Sequence, residues 1–373
     1  MSPRAAIVHA LIGQLQTLLP DARITRVRTL ALLVLGLLWA ETVSLPRIAA
    51  ELPGAACDPS HERRLRRWLS NPQVVVTSLW QTLLPPLVAH LCGRKVILVF
   101  DPTPLTTRAT VLILGMVHGY RVLPLAWRIV PQQDGEWAVS QNDLMGDLMQ
   151  EVQAVLPTDC AVTLVVDRQI GGTAILDACA EIGWHVVARI KAPRSQPVYW
   201  RSGPTAAPQP IWDLITGPGQ HWGGMGQLYP SRGWRAVGLT IWWDRDQDDP
   251  WVLISDRPGG QARAHEYRRR ARCEATYQDC KSRGFQLEAT RLSTLERIDR
   301  LLLAMHLAYW WAIRLGLDVI RHGERRRYDR RDRRDLSVMR LGLRRLKTDE
   351  GEGTCSLLLF ACRQGRWFVP GFT

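Results

Sequence analysis

Two aspartates of this 373-residue sequence stand where an apolar run stops: Asp101 follows Lys95–Phe100 (KVILVF), and Asp167 follows Ala161–Val166 (AVTLVV). An aspartate at a strand end is ordinarily a turn former or a helix cap, so neither residue taken singly marks a site. Side by side they would be different, because two carboxylates at neutral pH repel and need a shared proton or bound cations. A third acid, Glu274, is framed by Tyr267, Arg270 and Lys281 at spacings of three, four and seven. At about 100° per residue these four fall within roughly 60° of one helix face, so a helix here would carry an acid with cations on either side. The same stripe on a surface helix would simply meet water. Three carboxylates without a His or Cys cluster suit hard, oxygen-preferring divalent ions, Mg²⁺ or Mn²⁺ in its place.

Hydrophobic periodicity shows which elements would have to position these acids. Lys95–Phe100, Val111–Val117 and Val122–Val130 read as three tightly joined strands. Gln141–Leu156 then reads as a helix, Ala161–Val166 as a buried strand, Thr173–Ile182 as a helix and Trp184–Ile190 as a strand. In a sheet whose first three strands form a meander and whose fourth returns beside the first, the ends of strands one and four are neighbours. That topology would set Asp101 beside Asp167. A long helix from about Arg263 to Lys281 would bring Glu274 to them, followed by an amphipathic to buried helix over Leu292–Leu317.

The rest of the chain divides by texture. Residues 1–92 read as helical, with helices over Ala5–Leu19, Thr29–Trp39, Arg47–Leu52 and the basic His61–Leu69 (HERRLRRWL). Arg63, Arg64 and Arg67 make that last helix either a DNA-contacting face or a solvated one. Residues 191–259, with frequent Gly and Pro and seven of the sixteen tryptophans, read as a β-rich insertion with strands at Trp234–Trp243 and Trp251–Ser255. Residues 260–320 hold the two helices named above. The basic C-terminal region, 321–373, is dense in arginine from Arg321 to Lys347 and carries an apolar segment at Leu357–Phe360. With Asp329, Asp332 and Asp335 interleaved, that arginine stretch is either a phosphate-contacting surface or a self-paired helix.

Composition narrows the class. Forty-eight Lys and Arg against 35 Asp and Glu give a formal charge of +13, while 46% hydrophobic content is that of a folded chain. The excess charge points to a polyanionic partner, nucleic acid before acidic membrane. The longest apolar run, Leu30–Ala40, is too short to cross a bilayer. Eight scattered cysteines without a C-x-x-C pair suggest a reduced cytoplasmic chain without structural zinc.

The pattern Y-x-x-R-x-x-x-E-x-x-x-x-x-x-K, here Tyr267, Arg270, Glu274 and Lys281, resembles the signature of transposases of insertion sequence group four. Those are DDE enzymes of the ribonuclease-H-like superfamily. The resemblance extends to Asp101-Pro102-Thr103, to Asp167-Arg168, to Gly183–Lys191 (GWHVVARIK) and to a β-rich insertion before the third acid. It covers most of residues 20–320, with Gln169 a departure where a Gly or an acid is expected. It implies an α/β fold: a ribonuclease-H-like mixed sheet with flanking helices, interrupted by the insertion and preceded by an N-terminal DNA-binding helical domain.

The implied activity is Mg²⁺-dependent cleavage at transposon ends followed by strand transfer into target DNA. Asp101, Asp167 and Glu274 would hold two metal ions, with Asp101 bridging them. Tyr267, Arg270 and Lys281 would grip phosphates beside the cut, Arg270 alternatively pairing with Glu274. Double-stranded DNA, as terminal inverted repeats and as target, is the implied partner, with a homodimer in the synaptic complex and no membrane. A catalytically silent DNA-binding descendant and another ribonuclease-H-like nuclease are the rival readings. Asp279 and Glu288 are rival third acids without the Tyr, Arg and Lys framing.

Overall fold

Five helices open the chain in the computed structural model: α1 (Pro3–Leu18), α2 (Ile24–Ala40), α3 (Leu45–Glu51), α4 (Asp58–Leu69) and α5 (Val76–Val88). The structure describes residues 2–106, 109–133, 136–137, 140–330, 332, 334–351, 361–363 and 366–368. α2 is apolar on almost every side and is accordingly buried from Thr29 through Trp39. Pro46 sits in the first turn of α3 and Pro59 in that of α4, where a missing N–H costs nothing. α5 escaped the sequence reading because Pro85 and Pro86 lie inside it and ordinarily end a helix.

The strands follow: β1 (Lys95–Thr106), β2 (Ala109–His118), β3 (Arg121–Gln133), β4 (Glu136–Trp137), β5 (Ala161–Val166), β6 (His185–Arg189), β7 (Tyr199–Trp200), β8 (Gln209–Pro210), β9 (His221–Leu228), β10 (Arg235–Trp242) and β11 (Trp251–Ser255). Apart from the β7–β8 pair they build one sheet, in the order β4-β3-β2-β1-β5-β6-β11-β10-β9. β1–β3 form the expected antiparallel meander, and β5 returns parallel to β1. α6 (Gln141–Val155) and α7 (Thr173–Glu181) make the crossovers to β5 and β6. Covered on both faces, the central strands are the continuous Val/Ile/Leu runs that parallel pairing selects.

The β-rich segment over 191–259 extends this sheet rather than standing beside it, for β11 pairs antiparallel with β6. Its docking depends on glycine. A Cβ at Gly238 would lie 1.9 Å from the carbonyl oxygen of Arg257, and one at Gly259 would lie 1.8 Å from that of Leu239. β9 was not expected; its Gly223, Gly224 and Gly226 mask the apolar alternation that marks a strand.

The last elements are α8 (Gln261–Arg268), α9 (Arg272–Cys280), α10 (Leu295–Arg321), α11 (Arg325–Tyr328), α12 (Val338–Gly351) and the short pair β12 (Ala361–Arg363) and β13 (Arg366–Phe368). α10 is the central post, buried continuously from Leu301 through Gly316. Each large apolar side chain so buried contributes about 1.5–3 kcal/mol. The Trp310 indole donates to the Pro124 carbonyl at 3.0 Å, and the Arg300 guanidinium donates to the carbonyls of Leu69 and Val74. One apolar core therefore runs from Ile7 to Leu346, shared by the N-terminal helices, the sheet and α12. Cys57, Cys92, Cys160, Cys179, Cys273 and Cys280 are not joined in disulfides, and among the described residues no single helix is long and apolar enough to cross a membrane. Leu357–Phe360 lies outside the described residues.

Candidate active site

The parallel register of β1 on β5 settles the first expectation. Phe100 pairs with Val166, so Asp101 and Asp167 are the next residues on neighbouring strands. One guanidinium joins them: Arg270 Nη2 lies 2.6 Å from Asp101 Oδ1 and 3.1 Å from Asp167 Oδ2. Tyr267 donates its hydroxyl to Asp167 Oδ1 at 3.0 Å, and Tyr277 donates to the Asp101 carbonyl at 3.0 Å. Two carboxylates that would repel are thus held by a single internal cation.

Their environments pull them apart. Burial pushes the Asp101 carboxyl above the ordinary aspartate range, against the pull of Arg270 and Tyr277. Asp167 is less deeply set. Burial pushes it up too, but the Arg168 backbone N–H, Arg270 and the Tyr267 hydroxyl together hold it below that range. Burial also pushes the Tyr267 hydroxyl up to about 12, so it stays a donor at neutral pH. Arg270 keeps one buried nitrogen, Nε, without a partner, so the cluster has an unused donor.

The helix expected over Arg263–Lys281 is broken. α8 ends at Arg268, Arg269–Ala271 form a 3₁₀ turn, and α9 starts at Arg272. A 3₁₀ turn advances about 120° per residue against about 100° in an α-helix, so three such residues shift the phase by roughly 60°. That shift still leaves the four signature residues within about 60–80° of one face, yet only two of them meet the acids. Tyr267 and Arg270 reach the aspartates, whereas Glu274 is exposed and makes no hydrogen bond or ion pair among the described residues. Lys281 is a half-buried residue capping α9, where burial lowers its pKa against the pull of Glu288.

The expected convergence of three acids is therefore met by two, and among the described residues no group of three His, Cys, Asp or Glu is placed to hold a metal ion. Arg270 pairs with both aspartates and not with Glu274. Of the rival acids, Asp279 is consumed by a 2.6 Å ion pair to Arg121. Two carboxylates close enough to share one guanidinium are nonetheless a hard-oxygen donor set of the kind a divalent ion prefers.

Beside Asp167 a cavity of about 510 Å³ opens among Arg168, Arg189, Lys191, Arg194, Trp212 and Trp243. Arg194 lies over both indoles, 5.0 and 5.2 Å from their ring centroids. Gln169, the departure from the family pattern, lines this cavity. The charge of Arg189 is felt by both Asp167 and Tyr267. On α4, Arg63 and Arg67 are exposed, Arg64 is half-buried, and none makes an ion pair among the described residues.

Arg189, Tyr277, Arg269 and Arg272 went unnoticed in the sequence. Tyr277 had a signal, since it stands seven residues after Arg270. Arg189 stood inside the resembling segment Gly183–Lys191 without a role of its own, because only the pairing of β5 with β6 brings it near Asp167.

A comparison with curated proteins finds no match. Residues 138–311 match the family described as the transposase DDE domain. The match spans Asp167, the segment from Tyr267 to Lys281 and much of α10, while Asp101 precedes it and is joined to it by the β1–β5 pairing. The matched span is thus similar to a transposase DDE domain, and the β1–β5 pairing sets Asp101 beside it.

Proposed function

We propose that the protein is a cut-and-paste transposase that cleaves DNA at the ends of its element and joins those ends to target DNA, working as a homodimer on paired ends. The observation that carries this reading is the pairing of Asp101 with Asp167 about a single cation, inside a sheet of this topology. Asp101, Asp167 and Glu274 would hold Mg²⁺, or Mn²⁺ in its place, in two-ion form. When bound, the metal supplies activation of the attacking water or 3′-hydroxyl and stabilisation of the departing 3′-oxygen.

The chain's own residues do the rest. Assembly requires α9 to bring Glu274 to the paired aspartates, and the 3₁₀ turn at Arg269–Ala271 is the joint about which α9 would move. Arg270, released from the aspartates, turns its planar fork to a phosphate beside the cut. Tyr267 keeps Asp167 oriented through its hydroxyl. Lys281 adds a mobile charge along the same helix, and Arg63, Arg64 and Arg67 contact the terminal repeat. The cavity at Trp212 and Trp243 accommodates a nucleotide next to the cut.

The test is incubation with linear duplex carrying the element's terminal inverted repeats and Mg²⁺. Wild type nicks at the end, while Asp101→Asn, Asp167→Asn and Glu274→Gln bind and do not cut. Cutting that survives one of these changes removes that residue from the site. The exposure of Glu274 favours one second reading, a DNA-binding descendant that has lost cleavage; binding of the ends by wild type without any nicking would establish it.

A further inference from the structure

We propose that Arg269, Arg272, Tyr120, Arg326 and Arg334 form a track for the phosphate backbone of duplex DNA, leading from the paired aspartates to a second binding cleft. The inference rests on the transposase reading and adds a path for the DNA that flanks the cut. The cleft, about 630 Å³, lies between the β2–β3 turn and residues 323–338.

The arginines that line it fall into two groups. Arg121 and Arg325 are already satisfied, by Asp279 at 2.6 Å and Asp329 at 2.8 Å, and Arg330 shares Asp332 and Asp335 at 3.3 and 3.9 Å. Arg326 and Arg334 are exposed and make no ion pair among the described residues. At the lip, Tyr120 is 63% exposed, a large aromatic held in solvent beside Gly119, whose φ of +54° makes the tight turn possible. A tyrosine hydroxyl and free guanidinium groups are ordinary donors to phosphate oxygens.

Arg272 connects the cleft to the acids. It opens α9, two residues after Arg270, and it interacts electrostatically with Tyr120 on one side and Arg269 on the other. Neither Arg269 nor Arg272 has a carboxylate partner among the described residues. A file of cations without counter-charges is a surface suited to a polyanion.

The register gives the span. Asp101 pairs with Ile113 on β2, and Tyr120 lies seven residues further along. Five of those steps run along β2 to His118 before the turn, and at about 3.3 Å per residue they span roughly 16 Å, or about five base pairs of a duplex rising 3.4 Å per step.

The experiment measures binding of the full chain to duplexes that share the cut site and carry either about three or about twelve flanking base pairs, across a salt series. Arg326→Ala/Arg334→Ala should weaken binding of the long duplex at least tenfold and lower its log–log salt slope by about two, as expected for two lost phosphate contacts. Binding of the short duplex and nicking at saturating DNA should not change. Tyr120→Ala should reproduce the length dependence, and an unshifted Tm confirms that both variants fold. An unchanged slope, or equal losses on the two duplexes, overturns the track while leaving the transposase reading intact. Failure of wild type to bind either duplex overturns both.

Discussion

The four cations of α12 and the four arginines Arg269, Arg272, Arg326 and Arg334 are alike in number and opposite in their surroundings. Arg340 and Lys347 both reach Glu41 of the α2–α3 turn, Arg345 pairs with Asp318 and Asp349, and Arg344 donates to the Tyr328 carbonyl. These charges fasten α12 to the N-terminal helices and to α10, where Gly316 and Gly342 let the two backbones meet. A Cβ at Gly342 would lie 1.9 Å from the Ala312 carbonyl oxygen. Arg269, Arg272, Arg326 and Arg334 have no such counter-charges. A count of arginines thus points to a polyanion, but pairing decides which of them can still meet one. Within the Arg321–Lys347 stretch, Arg325 and Arg330 pair with the interleaved Asp329, Asp332 and Asp335, the cations of α12 pair largely with other segments, and Arg326 and Arg334 make no ion pair among the described residues.

Substitutions separate the two regions. The largest effect belongs to the acids. Asp101→Asn or Asp167→Asn should cut the nicking rate on the order of 10³-fold or more, the loss of several kcal/mol of metal-borne stabilisation, with DNA affinity retained. Next comes α12: Arg345→Met strands Asp318 and should cost about 3–5 kcal/mol in denaturant unfolding, with no change in the salt slope for DNA. If Arg345→Met instead lowered that slope, the division between paired and free arginines would fail. Gly342→Ala should cost about 1–3 kcal/mol by forcing α10 and α12 apart. Arg326→Ala, by contrast, should stay within about 0.5 kcal/mol of wild-type stability.

The smallest effect is on pH dependence, where the two aspartates carry opposite signs. Asp101 is raised on folding, so its ionised form opposes the fold at neutral pH, and that cost is relieved as pH falls through the raised value. Asp167 is lowered, so it supports the fold above its unfolded value and loses that support as pH falls through its lowered one. The difference between the stability curves of wild type and Asp101→Asn should therefore show a step above the ordinary aspartate range. A step below it would mean that Arg270 outweighs burial.

Much of the sheet was legible because strands buried on both faces are written as unbroken β-branched runs. Ala161–Val166 was bounded to the residue, and the meander with its returning strand followed from the order of elements. Asp101 and Asp167 met as expected because the parallel register leaves little freedom once Phe100 lies opposite Val166. α5 and β9 were obscured by prolines and glycines that the tertiary packing accommodates. The exposure of Glu274 was not legible for a different reason, since spacing gives the helix face a residue shares but not where along the helix that face meets the sheet.

What the residues determined unaided was local and periodic: the buried strands, the first four helices, the excess of positive charge, and the acids at two strand ends. The folded chain alone decided which charges were spent on one another. Ion pairing depends on distances between segments hundreds of residues apart, as Glu41 with Arg340 and Asp101 with Arg270 demonstrate. Such distances are fixed by how the core closes, and hydrophobic pattern says which faces are buried without saying which charges end up across from them.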